Sequence, residues 1–316
     1  MGKNRDKVFT RLREDHPLVK RLLSEVWWQE LVGFSHTDPD INIQLRSNYI
    51  NVYSKMGNLL RISLHGNKVC CDVHYKYLIA DRKSPSPYVK IFPSDKGHLE
   101  VPDNVCPNIQ DILNPKINPK TINKTIKQNI AIYAGEEKAI QSRLVEKNKE
   151  TIVDVEVAFS GKSGPDDVEG DNTRIDFVNF DKNLRKLVFV ELKQAFDARL
   201  YNKEIDDQIK KYYEFALKNE GQIVKAYQDS INTKKKLGII KDSSFLADVK
   251  IEVIEPRPIL AVAGFNQNVI DGLSKKIMCN LNKLSTTKYL LGLYFFGKDV
   301  DLNLQKRKQK NKEIFL

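Results

Sequence analysis

An acidic residue followed two positions later by lysine is the simplest pattern in this chain that could support hydrolytic chemistry. It occurs at Asp81–Lys83, Glu136–Lys138, Glu191–Lys193 and Asp248–Lys250. Residues this common produce a few such triplets per chain by chance, so position has to decide between them. Only Glu191–Lys193 closes a β-branched and aromatic run, LVFVELK at 187–193, after a turn-like segment at 181–185, and has an aspartate, Asp176, in the preceding run RIDFVNF at 174–180. Side chains two apart on a strand share a face, so Glu191 and Lys193 point the same way, and hairpin pairing brings Asp176 alongside. Two carboxylates and a lysine gathered at adjacent strands are costly unless a divalent cation and a polyanion occupy the space between them. The ordinary alternative is a solvated set of salt bridges among Asp176, Glu191, Lys193 and Arg174.

The elements that must position these groups follow from periodicity. Ile122, Ile126, Ile130, Tyr133, Ile140 and Leu144 recur at three- and four-residue steps and predict a long helix over 120–148. Three strand-like runs follow at 151–159, 174–180 and 187–193, then a helix at about 202–219, an inserted region of helical character, and the apolar strand PILAVAG at 258–264. Upstream, Leu18, Val19, Leu22, Leu23, Val26 and Trp27 predict one amphipathic helix over 16–31, whose stripe is read as core. From 41 to 78 the period changes to two, with turn signals at Met56-Gly57-Asn58 and His65-Gly66-Asn67, which predicts a small antiparallel meander. The proline-rich stretch 101–120 marks a boundary. The expected division is an N-terminal α+β domain at 1–105, a linker at 106–119 and a catalytic domain at 120–316, in a chain of mixed α/β class.

The succession helix, Arg174-Ile175-Asp176-Phe177, hairpin, Val190-Glu191-Leu192-Lys193 resembles the PD-(D/E)xK, restriction-endonuclease-like nucleases, and most closely their RecB-type branch. That branch carries a QxxxY signature on the helix after the lysine, and Gln208 and Tyr212 stand there, four residues apart and so on one helical face. The resemblance covers 120 to about 265, implies an αβββαβ core, and is silent on 1–105. The literal Pro165-Asp166 dipeptide lies in the loop SGKSGPDDVEGDN and is set aside for Asp176, which has the better strand context. The resemblance implies that Asp176, Glu191 and the Leu192 carbonyl hold one or two Mg²⁺ ions, with Mn²⁺ able to substitute, and that Lys193 orients or deprotonates the attacking water. Gln208 and Tyr212 then position the site or contact the substrate strand. A further glutamate on the first helix is implied as well; Glu137 is preferred because it continues the apolar stripe, with Glu136 one position away.

The rest of the chain narrows the function classes. A net charge of +11, from 52 Lys plus Arg against 41 Asp plus Glu, steers the protein towards a polyanion, with nucleic acid the natural candidate, and for a nuclease of the resembled kind DNA is expected over RNA. Basic clusters lie at Lys234–Lys236 and Lys306–Lys312. Neither a GxxxxGK[ST] loop nor a GxGxxG turn is present to cradle a nucleotide. Cys70, Cys71, Cys106 and Cys279 form no CxxC pair and are read as reduced thiols, which excludes an iron-sulfur variant. No apolar run would span a bilayer and no leader is evident, so the expectation is a cytoplasmic protein without membrane contact. The first domain could serve specificity, sensing or oligomerisation, with Tyr49, Tyr53, Tyr75 and Tyr77 either stacking bases or half-buried in its core. A stand-alone restriction or antiphage endonuclease, alone, as a homo-oligomer or awaiting an activating partner, is the resulting expectation. A nuclease fold that only binds nucleic acid is the alternative.

Overall fold

The computed structural model describes residues 9–77, 87–93, 99–100, 128–133, 135–158, 174–265, 267–297 and 313–314. The expected linker at 106–119, the Pro165-Asp166 loop, Ile122, Ile126 and the cluster Lys306–Lys312 lie outside them. The chain is of mixed α/β class and divides into two compact units: one of residues 11–142 and 229–243, the other of residues 1–10, 143–228 and 244–316.

In the first unit the described elements are α1 (Pro17–Leu22), α2 (Val26–Thr37) and the strands β1 (Ile41–Leu45), β2 (Ile50–Ser54), β3 (Gly57–His65), β4 (Lys68–His74), β5 (Tyr88–Pro93) and β6 (Leu99–Glu100). The strands pair antiparallel in chain order, the meander that the period of two predicts. Alternation sends Ile41, Ile43, Leu45, Ile50, Val52, Leu60 and Ile62 into one core with Leu18, Leu22, Trp28 and Leu31. The expected single helix over 16–31 is two: the backbone of Glu25 is extended, and the Ser24 hydroxyl donates to the Arg21 carbonyl, ending α1. Leu23 and Val26, expected in the stripe, consequently face solvent. Tyr53 and Tyr77 are buried, while Tyr49 lies under the Arg61 guanidinium at 4.0 Å and Tyr75 stacks on His74 at 4.9 Å, so these rings have partners within the fold.

Both turn signals fall where expected, for different reasons. Gly66 turns β3 into β4 at φ +60°, where glycine has no Cβ to clash. The β2–β3 turn is made instead by Lys55 and Met56, both at positive φ, and Gly57 opens β3. Gly57 is needed for space: a Cβ there would lie 2.3 Å from Ile130 Cγ2.

The expected helix over 120–148 is interrupted. Residues 128–133 are helical and α3 spans Glu136–Lys147, with Gly135 in neither, as a residue costing about 1 kcal/mol relative to Ala in a helix would favour. The division into units also differs from one at 106–119. Asn129 Nδ2 donates to the Tyr77 carbonyl at 2.6 Å, and Ile130 is in the core of the first unit. From residues 229–243, Leu237 joins the same core, Trp28 Nε1 donates to the Leu237 carbonyl at 3.3 Å, and Lys234, 5 % exposed, donates to Gln44 Oε1 at 2.6 Å. Lys235 pairs with Asp242 and Lys236 with Glu14, so this basic cluster is spent largely on internal contacts.

The second unit carries β7 (Ile152–Ala158), β8 (Arg174–Asp181), β9 (Lys186–Gln194), α4 (Glu204–Lys218), α5 (Glu220–Lys236, its last turns in the first unit), β10 (Ile254–Phe265), α6 (Gln267–Lys283), β11 (Gly292–Gly297) and β12 (Glu313–Ile314). Their sheet order is β12-β11-β10-β9-β8-β7. The β7–β8–β9 meander is antiparallel, whereas β10 pairs parallel to β9 and β11 parallel to β10, so helices α4 and α5 form the crossover a parallel step needs. Strands β8 and β9 are buried nearly throughout, as befits central strands covered on both faces. Helix α4 packs on β10 through Ile205, Ile209, Tyr212 and Ala216 at helical spacing. The register shift between Glu255 and Ile259 falls at Pro256 and Pro258, which cannot donate to the ladder. Among the described residues no helix is long and apolar enough to cross a membrane.

Candidate hydrolytic site

The site is built on three elements of the second unit. Pairing of β8 with β9 places Asp176 beside the end of β9, where its Oδ2 accepts a hydrogen bond of 2.6 Å from the Leu192 N–H. On β9 the alternation holds: Glu191 and Lys193 share a face, and Lys193 Nζ donates to Glu191 Oε1. Helix α4 supplies the third wall. Its i, i+4 spacing puts Gln208 and Tyr212 over Glu191, with Gln208 Nε2 donating to Glu191 Oε1 at 2.8 Å and to the Tyr212 oxygen at 2.6 Å. The Tyr212 hydroxyl lies 3.1 Å from Glu191 Oε2 and also donates to the Arg174 carbonyl on β8, so its one proton serves both strands.

Five of the residues expected from the sequence are thus brought together: Asp176, Glu191, Lys193, Gln208 and Tyr212. Leu192, whose carbonyl was an expected ligand, is there through its N–H, which holds Asp176. Glu137 is half-buried and Glu136 exposed, as the stripe argument expects, and both belong to the first unit. A salt-bridged, solvated face is not what forms, because Glu191 and Lys193 are 2 % and 3 % exposed. Arg174, the other cation of that alternative, is exposed and takes part through its backbone carbonyl.

The charge balance is the site's main electrostatic feature. Burial, and then the like charge of Glu191, push the Asp176 carboxyl well above the ordinary carboxylate range, with Lys193 offsetting only part. Burial also raises Glu191, against the pull of Lys193 and the hydrogen bond from Tyr212. The Tyr212 phenol is raised by burial and by the Glu191 charge, so it stays a neutral donor. One buried ammonium, with a weaker pull from Arg199 on Glu191, faces two carboxylates, of which Glu191 is buried and Asp176 half-buried.

Sequence reasoning missed Glu156. Between the pairs Val155–Phe177 and Val157–Ile175 it stands opposite Asp176, and its charge adds to the raising of that carboxyl. The alternation of TIVDVEVAF gave a usable signal, since pairing of the first two strands of the meander sets a residue of one against Asp176. Its backbone lies at φ +51°, left-handed for a non-glycine residue in a strand, which costs on the order of 1 kcal/mol. Also missed was the turn after β9, where Asp197 accepts from Arg199 Nε at 2.9 Å. Burial would raise Asp197, but its hydrogen bonds with Arg199 hold it below the usual range.

The donor set fits a hard divalent cation. Mg²⁺ characteristically takes one or two protein carboxylates and completes its shell with water and phosphate oxygens, whereas zinc prefers three or four histidine, cysteine or carboxylate ligands. Asp176 and Glu191 supply the two carboxylates. Among the described residues no group of three or more His, Cys, Asp or Glu side chains converges as a ready-made cage. The chain matches no protein-family model, no curated protein and no solved structure.

Proposed function

We propose that the chain is a divalent-metal-dependent nuclease that hydrolyses phosphodiester bonds, with DNA favoured over RNA as substrate. The observation that carries this is the under-neutralised group of half-buried Asp176 with buried Glu191 and Lys193 on two adjacent strands, joined by hydrogen bonds to Gln208 and Tyr212. Asp176 and Glu191 would hold Mg²⁺ or Mn²⁺. The bound ion would lower the pKa of a coordinated water and neutralise the attacked phosphate. Lys193 orients that water through its ammonium hydrogens and offsets charge on the pentacovalent phosphate. Gln208 and Tyr212 fix the Glu191 carboxylate, and the Leu192 N–H fixes Asp176, so both acids are held before substrate arrives. The +11 net charge favours approach of a polyanion.

One observation favours a second reading. Both Glu191 oxygens already accept hydrogen bonds, as they would in a closed structural network on a fold that binds nucleic acid without cutting it, or that awaits an activator. A time course separates the two. Supercoiled plasmid, linear duplex, single-stranded DNA and RNA are each incubated with Mg²⁺, Mn²⁺ or EDTA and with wild type or Lys193→Ala. Metal-dependent cleavage that vanishes in the variant supports the nuclease; salt-sensitive binding with no cleavage under any condition supports the second reading.

A further inference from the structure

Three residues beyond Lys193, the chain exposes a phenylalanine from a backbone that is tied down on every side. Phe196 is 74 % exposed and makes no ring contact with another described residue. It is not at the tip of a loose loop. Asp197 N–H closes a turn onto the Gln194 carbonyl at 2.9 Å, the N–H of fully buried Ala195 is anchored to the Ala263 carbonyl of β10 at 2.7 Å, and the Tyr201 hydroxyl holds the Ala195 carbonyl at 2.6 Å. On the far side Asp197 caps the short 3₁₀ turn Ala198–Tyr201 through the Arg199 N–H at 2.9 Å, and Leu200 is fully buried beneath it.

A large apolar ring held out into water by a fixed backbone gains nothing for the fold. It is preorganised for something that covers it. Its place on the chain says what that is. Three residues of extended chain put the two Cα atoms at most about 10 Å apart, so the ring stands within a few nucleotides of any phosphate that Lys193 serves. Nucleobases are the flat apolar surfaces that accompany such a phosphate, and an aromatic ring accepts any base because every base has a π-face. Bases in an intact duplex present their edges to the grooves, not their faces, so a ring that stacks on a base requires an unpaired one.

We propose that Phe196 is a stacking platform for an unpaired base beside the scissile phosphate, which makes single-stranded nucleic acid, or a strand locally opened, the preferred substrate. This rests on the nuclease reading of the neighbouring group, and its test is arranged so that the two can fail separately. Binding is measured in EDTA, where no cleavage occurs, by fluorescence anisotropy of a labelled 12-mer of deoxythymidine, the same strand in duplex, and a fully abasic 12-mer of equal charge. Wild type is expected to prefer the base-bearing single strand to the abasic one by about tenfold, the size of one base stacked on one ring. Phe196→Ala should erase that preference while leaving abasic binding and its salt dependence unchanged, and Phe196→Trp should retain it. Because Phe196 is exposed, none of these variants disturbs the core.

Equal binding of base-bearing and abasic strands by wild type overturns the proposal, as does a Phe196→Ala protein that keeps the preference. So does tighter binding to duplex than to single strand. If the preference is found and depends on Phe196 but no metal supports cleavage, the platform stands and the nuclease reading falls. If cleavage occurs and wild type shows no base preference, the reverse holds.

Discussion

Glu191 and Glu255 sit on neighbouring strands of one sheet, both almost fully buried, yet they titrate in opposite senses. Burial pushes both upward. Near the start of β9, however, Glu255 has two cations to itself: Arg257 Nε donates to it at 2.8 Å and Lys186 Nζ lies at 3.7 Å, and together they bring its carboxyl below the ordinary range. Near the end of β9, Glu191 and Asp176 share Lys193, with Arg199 adding only a weaker pull on Glu191 and Glu156 a further like charge on Asp176, and both remain raised. The strand therefore carries a finished ion cluster near one end and an unfinished one near the other. What distinguishes a candidate reactive site from a structural one is not burial but the count of opposite charges within reach.

The sharpest way to break this comparison is chemical. Lys193→Ala or Asp176→Asn should lower the cleavage rate by about 10²–10⁴-fold, as loss of a positioned proton-handling or charge-stabilising group does, while Glu255→Gln should change it by no more than about twofold. Single-turnover rates on one labelled substrate measure all three. Equal losses at both ends of β9 would mean that the asymmetry has no bearing on chemistry.

Next in size is the response to metal. With free Mg²⁺ at about a hundred times its dissociation constant, wild type should gain about 2.7 kcal/mol against urea, and Asp176→Asn should gain little. Glu255→Gln should gain as much as wild type, because its cluster is already neutralised. A smaller contrast is expected without metal at pH 7. Glu255→Gln should lose roughly 1 kcal/mol, a modest figure because Arg257 and Lys186 are both partly solvated, whereas Asp176→Asn should be as stable as wild type or more so.

The finest contrast is in pH. Glu255 has a lowered folded value, so its contribution is present above the ordinary glutamate range and is lost as pH falls through the folded value. Asp176 is raised, so the folded protein holds that proton more tightly than the unfolded chain, and stability falls as pH rises from the ordinary aspartate range through the folded value. Melting temperatures in EDTA from about pH 2 to about pH 8 should show Glu255→Gln flattening the acid side and Asp176→Asn flattening the decline towards neutrality.

Much of the candidate site was legible because it depends on short-range rules. Alternation put Glu191 and Lys193 on one face, hairpin pairing carried Asp176 beside them, and a four-residue helical step put Gln208 and Tyr212 together. The same rules outlined the first meander and the strands at 151–159, 174–180 and 187–193. What was not legible depends on contacts distant in sequence or on local irregularity. The break between α1 and α2 comes from an extended Glu25, a residue with no special signal for it. Residues 229–243 join the first unit because Leu237 and Lys234 find partners some two hundred positions away, at Trp28 and Gln44. Helix α6 and strand β11 were also unread, although LLGLYFF at 290–296 is a short apolar run of the kind that forms buried parallel strands.

The missing Cβ of Gly57 offers a way to take the protein apart genetically. A single added methyl group at that position must displace Ile130, a branched and fully buried side chain, while altering no group in the Asp176–Glu191–Lys193 set. Gly57→Ala should therefore behave as a heat-sensitive allele of the meander. Scored beside Lys193→Ala, it would tell a biological role that needs only chemistry from one that also needs the first unit intact.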